Sequence, residues 1–175
     1  MVYIRGHRDD YDGWLGEGCT GWGYDEVLPY FKKSEANTDP HLADAFHGRD
    51  GPLSVSQQRD PNAMDHTFIE AAGKLQFGQC PDFNVEDPEG MGIYQVTQKD
   101  GRRHSTAAAF LHNITDRTNL KIVTRSTVHT VSTTQDTAHV TLQRPDGTQH
   151  IIKARAEVIL SAGAIGSPDI LLRSG

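Results

Sequence analysis

The chain has 175 residues, 36% of them hydrophobic, with 17 basic and 23 acidic residues and a formal net charge of -6. That length suits one ordinary domain or parts of two. The acidic balance argues against nonspecific nucleic-acid binding, which needs cations to neutralise phosphates. The two cysteines, Cys19 and Cys80, lie far apart, so neither a disulfide framework nor a C-x-x-C zinc ribbon is indicated. No apolar run reaches the length of a membrane span, and no signal peptide opens the chain, so a cytoplasmic or membrane-peripheral location is expected.

In chain order, Met1 to Ile4 reads as a short extended piece broken at Arg5-Gly6. The stretch GWLGEGCTGWG is glycine-rich and reads as loop. YDEVLPYFKKSE reads as a short helix, with acids early and lysines late to match the helix dipole, and Pro29 marks its first turn or a kink. Residues 36–52 read as irregular, and PLSVS as a short strand. DPNAMDHTFIEAAGKLQ places Met64, Phe68, Ala71, Ala72 and Leu75 at helical spacing, with Asp60 as the cap and Pro61 in the first turn. Residues 78–92 read as loop, IYQVTQ as a strand, KDGRR as a turn, and STAAAFLHNI as a helix capped by Ser105.

From Asn119 the texture turns to β. LKIVT, TVHTVST, AHVTLQ, QHIIKA and EVILSA read as strands, with an Asp-Gly hairpin signal in RPDGTQ. EVILSA is continuously apolar, as a strand buried on both faces in a parallel sheet would be. After it, Ser167 suits a helix cap, Pro168 the first helical position and Asp169 the helix dipole. Gly163 and Gly166 allow close approach of another backbone or a flat ligand. Such a strand-turn-helix unit can present a loop to a nucleotide cofactor, or be a plain βα turn. No G-x-G-x-x-G fingerprint occurs.

Candidate chemistry is sparse. None of the nine histidines has metal-ligand spacing. His47, in FHGRDGP, and His104, in GRRHS, are the most suggestive, yet neither spacing marks a general base. No serine has a G-x-S-x-G context, so an esterase has no anchor. DGRRHS sets two arginines and Ser105 at a helix entrance, which suits an anion or a solvated turn. Trp14 and Trp22, with Tyr3 and Tyr11, suit an apolar lid, a cation-binding surface or a pinned loop.

Four separated segments together resemble one family, the glucose–methanol–choline (GMC) flavin oxidoreductases, and within it the choline-oxidising members. They are MVYIRGHRDDYDGW with GWGYDEVLPYFKKSE, then FHGRDGPLSV, then GMGIYQVTQKDGRRHSTAAAFL, and finally GAIGSPDILLRSG. The resemblance covers essentially all 175 residues, in the family's order. It implies a mixed α/β (α+β) chain: part of an FAD-binding Rossmann-like domain plus part of a substrate domain on an antiparallel sheet. Residues 1–52 would be a flavin-proximal segment with lid and linker, 53–100 part of the substrate domain, and 101–175 part of the FAD domain. The cofactor implied is FAD, and the partner a small-molecule alcohol, with choline expected and the electron acceptor open. Met1 and Val2 would lie against the isoalloxazine. Val128 would meet the adenine through its backbone, and Ser161, Ala162 and Gly163 would line the adenosine side. No histidine matches the family's catalytic position, so no catalytic residue is assigned. The phosphate-binding loop would precede Met1 and the catalytic histidine would follow Gly175, which makes the chain an internal fragment, inactive and weakly FAD-binding alone. The rival readings are oxidation of another alcohol, a hydroxynitrile lyase on the same scaffold, and a noncatalytic binding module.

Overall fold

Local signals at the ends of elements decide much of the first part of the chain. In the computed structural model, which describes residues 1–134 and 137–175, RDDYDGWLG forms helix α1, Arg8–Gly16. This corrects the loop expected there for Gly13 to Gly16. The reason is a capping box: His7 Nδ1 accepts from the Asp9 amide at 3.2 Å, and the Asp10 carboxylate accepts from the His7 amide at 2.8 Å. That N-terminal signal outweighs two exposed glycines, each of which costs a helix only about 1 kcal/mol.

The chain divides into two units, Met1–Arg117 and Thr118–Gly175. In the first, α2 spans Tyr24–Ser34 as expected, with Asp25 and Glu26 early and Lys32 and Lys33 late. Pro29 lies inside it, not in its first turn. Tyr11 of α1 and Tyr24 and Val27 of α2 are buried together, with Leu28 and Phe31 packed against them. Strand β1, Glu35–Asn37, pairs in parallel with β2, Leu53–Val55. The region read as irregular therefore contains part of a strand, too short to display a period of two.

Helix α3, Ala63–Lys74, is capped by Asn62 and not by Asp60: Asn62 Oδ1 accepts from the Met64 amide at 2.9 Å. Its apolar positions recur as expected, yet Met64 and Phe68 and the following Leu75 are exposed, and only Ala72 is buried. IYQVTQ gives no regular strand over its length. Val96 makes isolated bridges to Val2 and Ser56, and the ladder proper is β3, Gln98–Lys99, paired with β4, Arg102–Arg103. Asp100 and Gly101 both have positive φ, 52° and 72°, as a tight hairpin turn requires. Helix α4, Thr106–Phe110, has Ser105 as its cap, as expected.

The second unit is an antiparallel meander in the order β5-β6-β7, namely Thr127–Thr133, Ala138–Gln143 and Gln149–Ala154. Gly147, at φ 83°, makes the anticipated Asp-Gly turn between β6 and β7. Helix α5, Gly163–Ser174, packs on β5 through buried Ile170, and its Ser174 hydroxyl accepts from the Val131 amide at 2.9 Å. Three expectations fail here. LKIVT and EVILSA form no strands, and Ile159 is 76% exposed. An apolar run becomes a buried strand only between neighbouring strands, and none among the described residues flanks EVILSA. Helix α5 also begins before Ser167, whose hydroxyl accepts from the Ala162 amide at 2.9 Å from inside the helix. Asp169 pairs with Arg173 at 2.7 Å and does not sit in the first turn. No helix among the described residues is long and apolar enough to cross a membrane.

Candidate functional site

Residues expected at the cofactor fall in both units. In the first, the Met1 carbonyl accepts from the Thr97 amide at 2.8 Å, and the Tyr3 amide donates to the Gln95 carbonyl at 2.8 Å. This short antiparallel attachment holds the backbone of Met1 to Tyr3 while residues Met1 and Val2 remain 47% and 54% exposed. Two apolar side chains on a fixed backbone edge suit the face of a flat ring.

In the second unit, Val128 lies on β5, half-buried, where a bulge breaks the ladder between Val128 and Thr130. Its carbonyl accepts from Arg173 Nη2, near the C-terminal end of α5, at 3.4 Å. Ser161, Ala162 and Gly163 are exposed at the opposite end of α5. The helical rise puts Gly163 and Arg173 about 15 Å apart along α5. Gly163 has φ 83°, and a Cβ there would meet nothing within 4 Å. The first turn of α5 carries no acidic residue and Ala162 offers no side-chain cap, so the positive pole of the helix is not neutralised locally.

His47, one of the two suggestive histidines, joins a buried charge cluster whose partners the sequence did not indicate. His47 is buried between Glu35 and Asp82: Nδ1 lies 2.9 Å from Glu35 Oε1 and Nε2 lies 2.7 Å from Asp82 Oδ2. Glu35 also accepts from Arg5 Nη2 at 2.7 Å, Asn37 Nδ2 at 2.9 Å and the Gly48 amide at 3.0 Å. Burial alone would lower the His47 pKa, but the two carboxylates outweigh it and push it up to about 9. Burial would likewise raise Glu35 and Asp82, but hydrogen bonds from His47 and neighbouring groups hold both below their ordinary values. The two acids take opposite ring nitrogens, and among the described residues no three of His, Cys, Asp and Glu are grouped to hold a metal ion. His104, the other suggestive histidine, accepts from the Ser54 amide through Nδ1 at 3.0 Å and stays a structural loop residue.

Of the four aromatics singled out from sequence, Tyr11, Trp14 and Trp22 come together. Tyr11, Trp22, Val27, Tyr30 and Phe31 line an open groove of about 580 Å³, and Trp14 packs edge-on to both Tyr11 and Trp22. Tyr3 lies elsewhere, with its hydroxyl 3.4 Å from Arg5 Nη2.

Comparison with known proteins accounts for the whole chain. Residues 1–175 match the GMC oxidoreductase family, and the chain belongs to it. It is 38% identical over its whole length to an alcohol dehydrogenase [acceptor] of Pseudomonas putida, covering 32% of that protein. It is also 38% identical to the mitochondrial choline dehydrogenase of Mus musculus, covering 29% of it. Among solved structures, pyridoxine 4-oxidase from Mesorbium loti superposes with a TM-score of 0.84 at 32% identity, over all of this chain and 34% of that one. The chain thus spans about a third of the length of the relatives it matches. FAD is the cofactor of the family, and the mixed helix and strand content agrees with it.

The His47 cluster was hidden from sequence because its partners lie 12 and 35 residues away. The available signal was FHGRDGP itself, in which His47 is followed by two glycines three residues apart.

Proposed function

We propose that the chain is a section of an FAD-dependent oxidoreductase that converts an alcohol to a carbonyl compound, with choline to betaine aldehyde the favoured reaction. The observation that supports this most is the match of all 175 residues to the family, with choline dehydrogenase among the relatives. FAD, when bound, supplies the acceptor for the hydride leaving the alcohol carbon, while the hydroxyl proton passes to a base. This chain contributes no such base. Its residues bind and orient. Met1 and Val2 provide an apolar edge against the isoalloxazine, and Val128 offers backbone contacts to the adenine. Ser161, Ala162 and Gly163 line the adenosine side. The residues fit that group: exposed apolar side chains stand on a hydrogen-bonded backbone, and open space lies where Gly163 lacks a Cβ.

The functional division proposed is a flavin-proximal segment over 1–52, a substrate-domain part over 53–100 and an FAD-domain part over 101–175. A second reading, oxidation of a different alcohol, is favoured by relatives named for alcohol and pyridoxine. The test is turnover with a dye acceptor. The complete flavoprotein is expected to oxidise choline faster than pyridoxine or a simple aliphatic alcohol, and the 175-residue chain alone is expected to show no turnover. Preference for another alcohol would overturn the choline assignment, and robust turnover by the isolated chain would overturn its role as a section without a base.

A further inference from the structure

Arg5, Glu35, His47, Asp82 and Asn84, all buried, close a ring of hydrogen bonds. Arg5 Nη2 donates to Glu35 at 2.7 Å, and Glu35 accepts from His47 Nδ1 at 2.9 Å. His47 Nε2 meets Asp82 at 2.7 Å, and the second Asp82 oxygen accepts from the Asn84 amide at 2.9 Å. Asn84 Oδ1 then accepts from the backbone amide of Arg5 at 2.8 Å, which returns the ring to its start. Asn84 Nδ2 also donates to the Tyr3 carbonyl at 3.3 Å, and Arg5 Nη1 donates to the Phe46 carbonyl at 2.6 Å.

Both ring nitrogens of His47 face carboxylate oxygens. With both carboxyls held below their ordinary values each is an ionised acceptor, so both nitrogens donate and the ring is imidazolium. Two cations, Arg5 and His47, then balance two anions, Glu35 and Asp82. The other polar groups around the ring are amides: Asn37 Nδ2 gives its protons to Glu35 at 2.9 Å and Gln95 at 3.1 Å, and it lies 3.2 Å from His47 Nδ1, a donor-to-donor contact once the ring is imidazolium. Nearby, the Cys80 thiol donates to the Asp82 carbonyl at 3.0 Å and the Tyr3 hydroxyl accepts from Arg5 at 3.4 Å.

We propose that His47 is a positioning residue: as imidazolium it closes this buried ring, which locks the Met1–Arg5 segment and so fixes where Met1 and Val2 meet the flavin. The second half rests on the reading that Met1 and Val2 face the flavin. The lock acts through Arg5 and Asn84, not by contact with any reacting group.

The test is NMR on the complete protein with nitrogen-labelled histidine. At about pH 8, where an ordinary histidine is neutral, both His47 ring nitrogens are expected to be protonated. On further titration the Arg5, Tyr3 and Asn84 amide signals are expected to move with the ring. In H47Q, hydrogen exchange at the Arg5 and Tyr3 amides is expected to accelerate at least tenfold while β5–β7 amides are unchanged. A neutral ring at that pH, or amides that do not follow it, would overturn the lock. Should H47Q fail to fold, the wild-type co-titration decides alone. In the complete flavin-loaded protein, H47Q is expected to shift the flavin visible spectrum and weaken FAD binding at least tenfold. Faster exchange with an unaltered flavin would keep the lock and overturn the flavin-facing placement of Met1 and Val2.

Discussion

Replacing His47 with alanine is expected to destabilise the chain by about 3–5 kcal/mol, read from chemical denaturation against wild type. The side chain is fully buried between two carboxylates, and its removal leaves Glu35 and Asp82 without the charge that offsets their desolvation. Arg5 still serves Glu35, but among the described residues the Asp82 carboxylate keeps only the Asn84 backbone amide as a hydrogen-bond donor. The same group sets a pH dependence. The folded pKa of about 9 lies above the ordinary value of 6.5, so the contribution is complete below 6.5 and is lost as pH rises through 9. Linkage over that window is worth about 3 kcal/mol. Glu35 and Asp82 are shifted down, so theirs is present above the ordinary carboxylate range and lost as pH falls through their lowered values. Stability is therefore greatest in mildly acidic to neutral solution. A wild-type profile that is flat through alkaline pH would contradict the imidazolium.

Gly48→Ala is expected to cost about 3 kcal/mol or more, measured the same way. A Cβ on Gly48 would lie 1.8 Å from the Lys32 carbonyl oxygen and 2.9 Å from that of Glu35. Those atoms are backbone and cannot swing away. Nor can the loop retreat, because the Gly48 amide donates to Glu35 at 3.0 Å and its carbonyl accepts from the Asn37 amide at 2.8 Å. Gly51 is confined in the same way, with a Cβ 2.4 Å from the Ser34 carbonyl carbon. Close approach, not a left-handed backbone, fixes both glycines. The control is Gly13→Ala in α1, where a Cβ would meet nothing within 4 Å. It should stabilise by about 0.5–1 kcal/mol through helix propensity. Equal effects at the two glycines would defeat the packing argument.

These two positions show what the sequence could and could not disclose. The glycine spacing of HGRDG was visible as part of a family pattern, but the surface that demands it, the α2–β1 junction, was not. Signals carried within a few residues were legible: the charge gradient of α2, the Ser105 cap, and the Asp-Gly turns at Gly101 and Gly147. Signals that need a partner were misread. EVILSA has the composition of a buried strand, but no strand among the described residues flanks it. The apolar stripe of α3 has the right period, yet Met64 and Phe68 face solvent. Helix α1 was concealed by its glycines, although the His7–Asp10 capping box was printed in the sequence. At the candidate site, resemblance pointed to Met1, Val2, Val128 and Ser161–Gly163, while His47 joined its partners only through the fold.

The central claim is that this chain forms part of the wall around FAD. Hydrogen exchange of the complete protein, with and without FAD, tests it most directly. The account predicts protection on FAD binding at the amides of Val2, Val128, Ser161, Ala162 and Gly163, with none at the exposed face of α3. Tight FAD binding that leaves those five amides unprotected would contradict it.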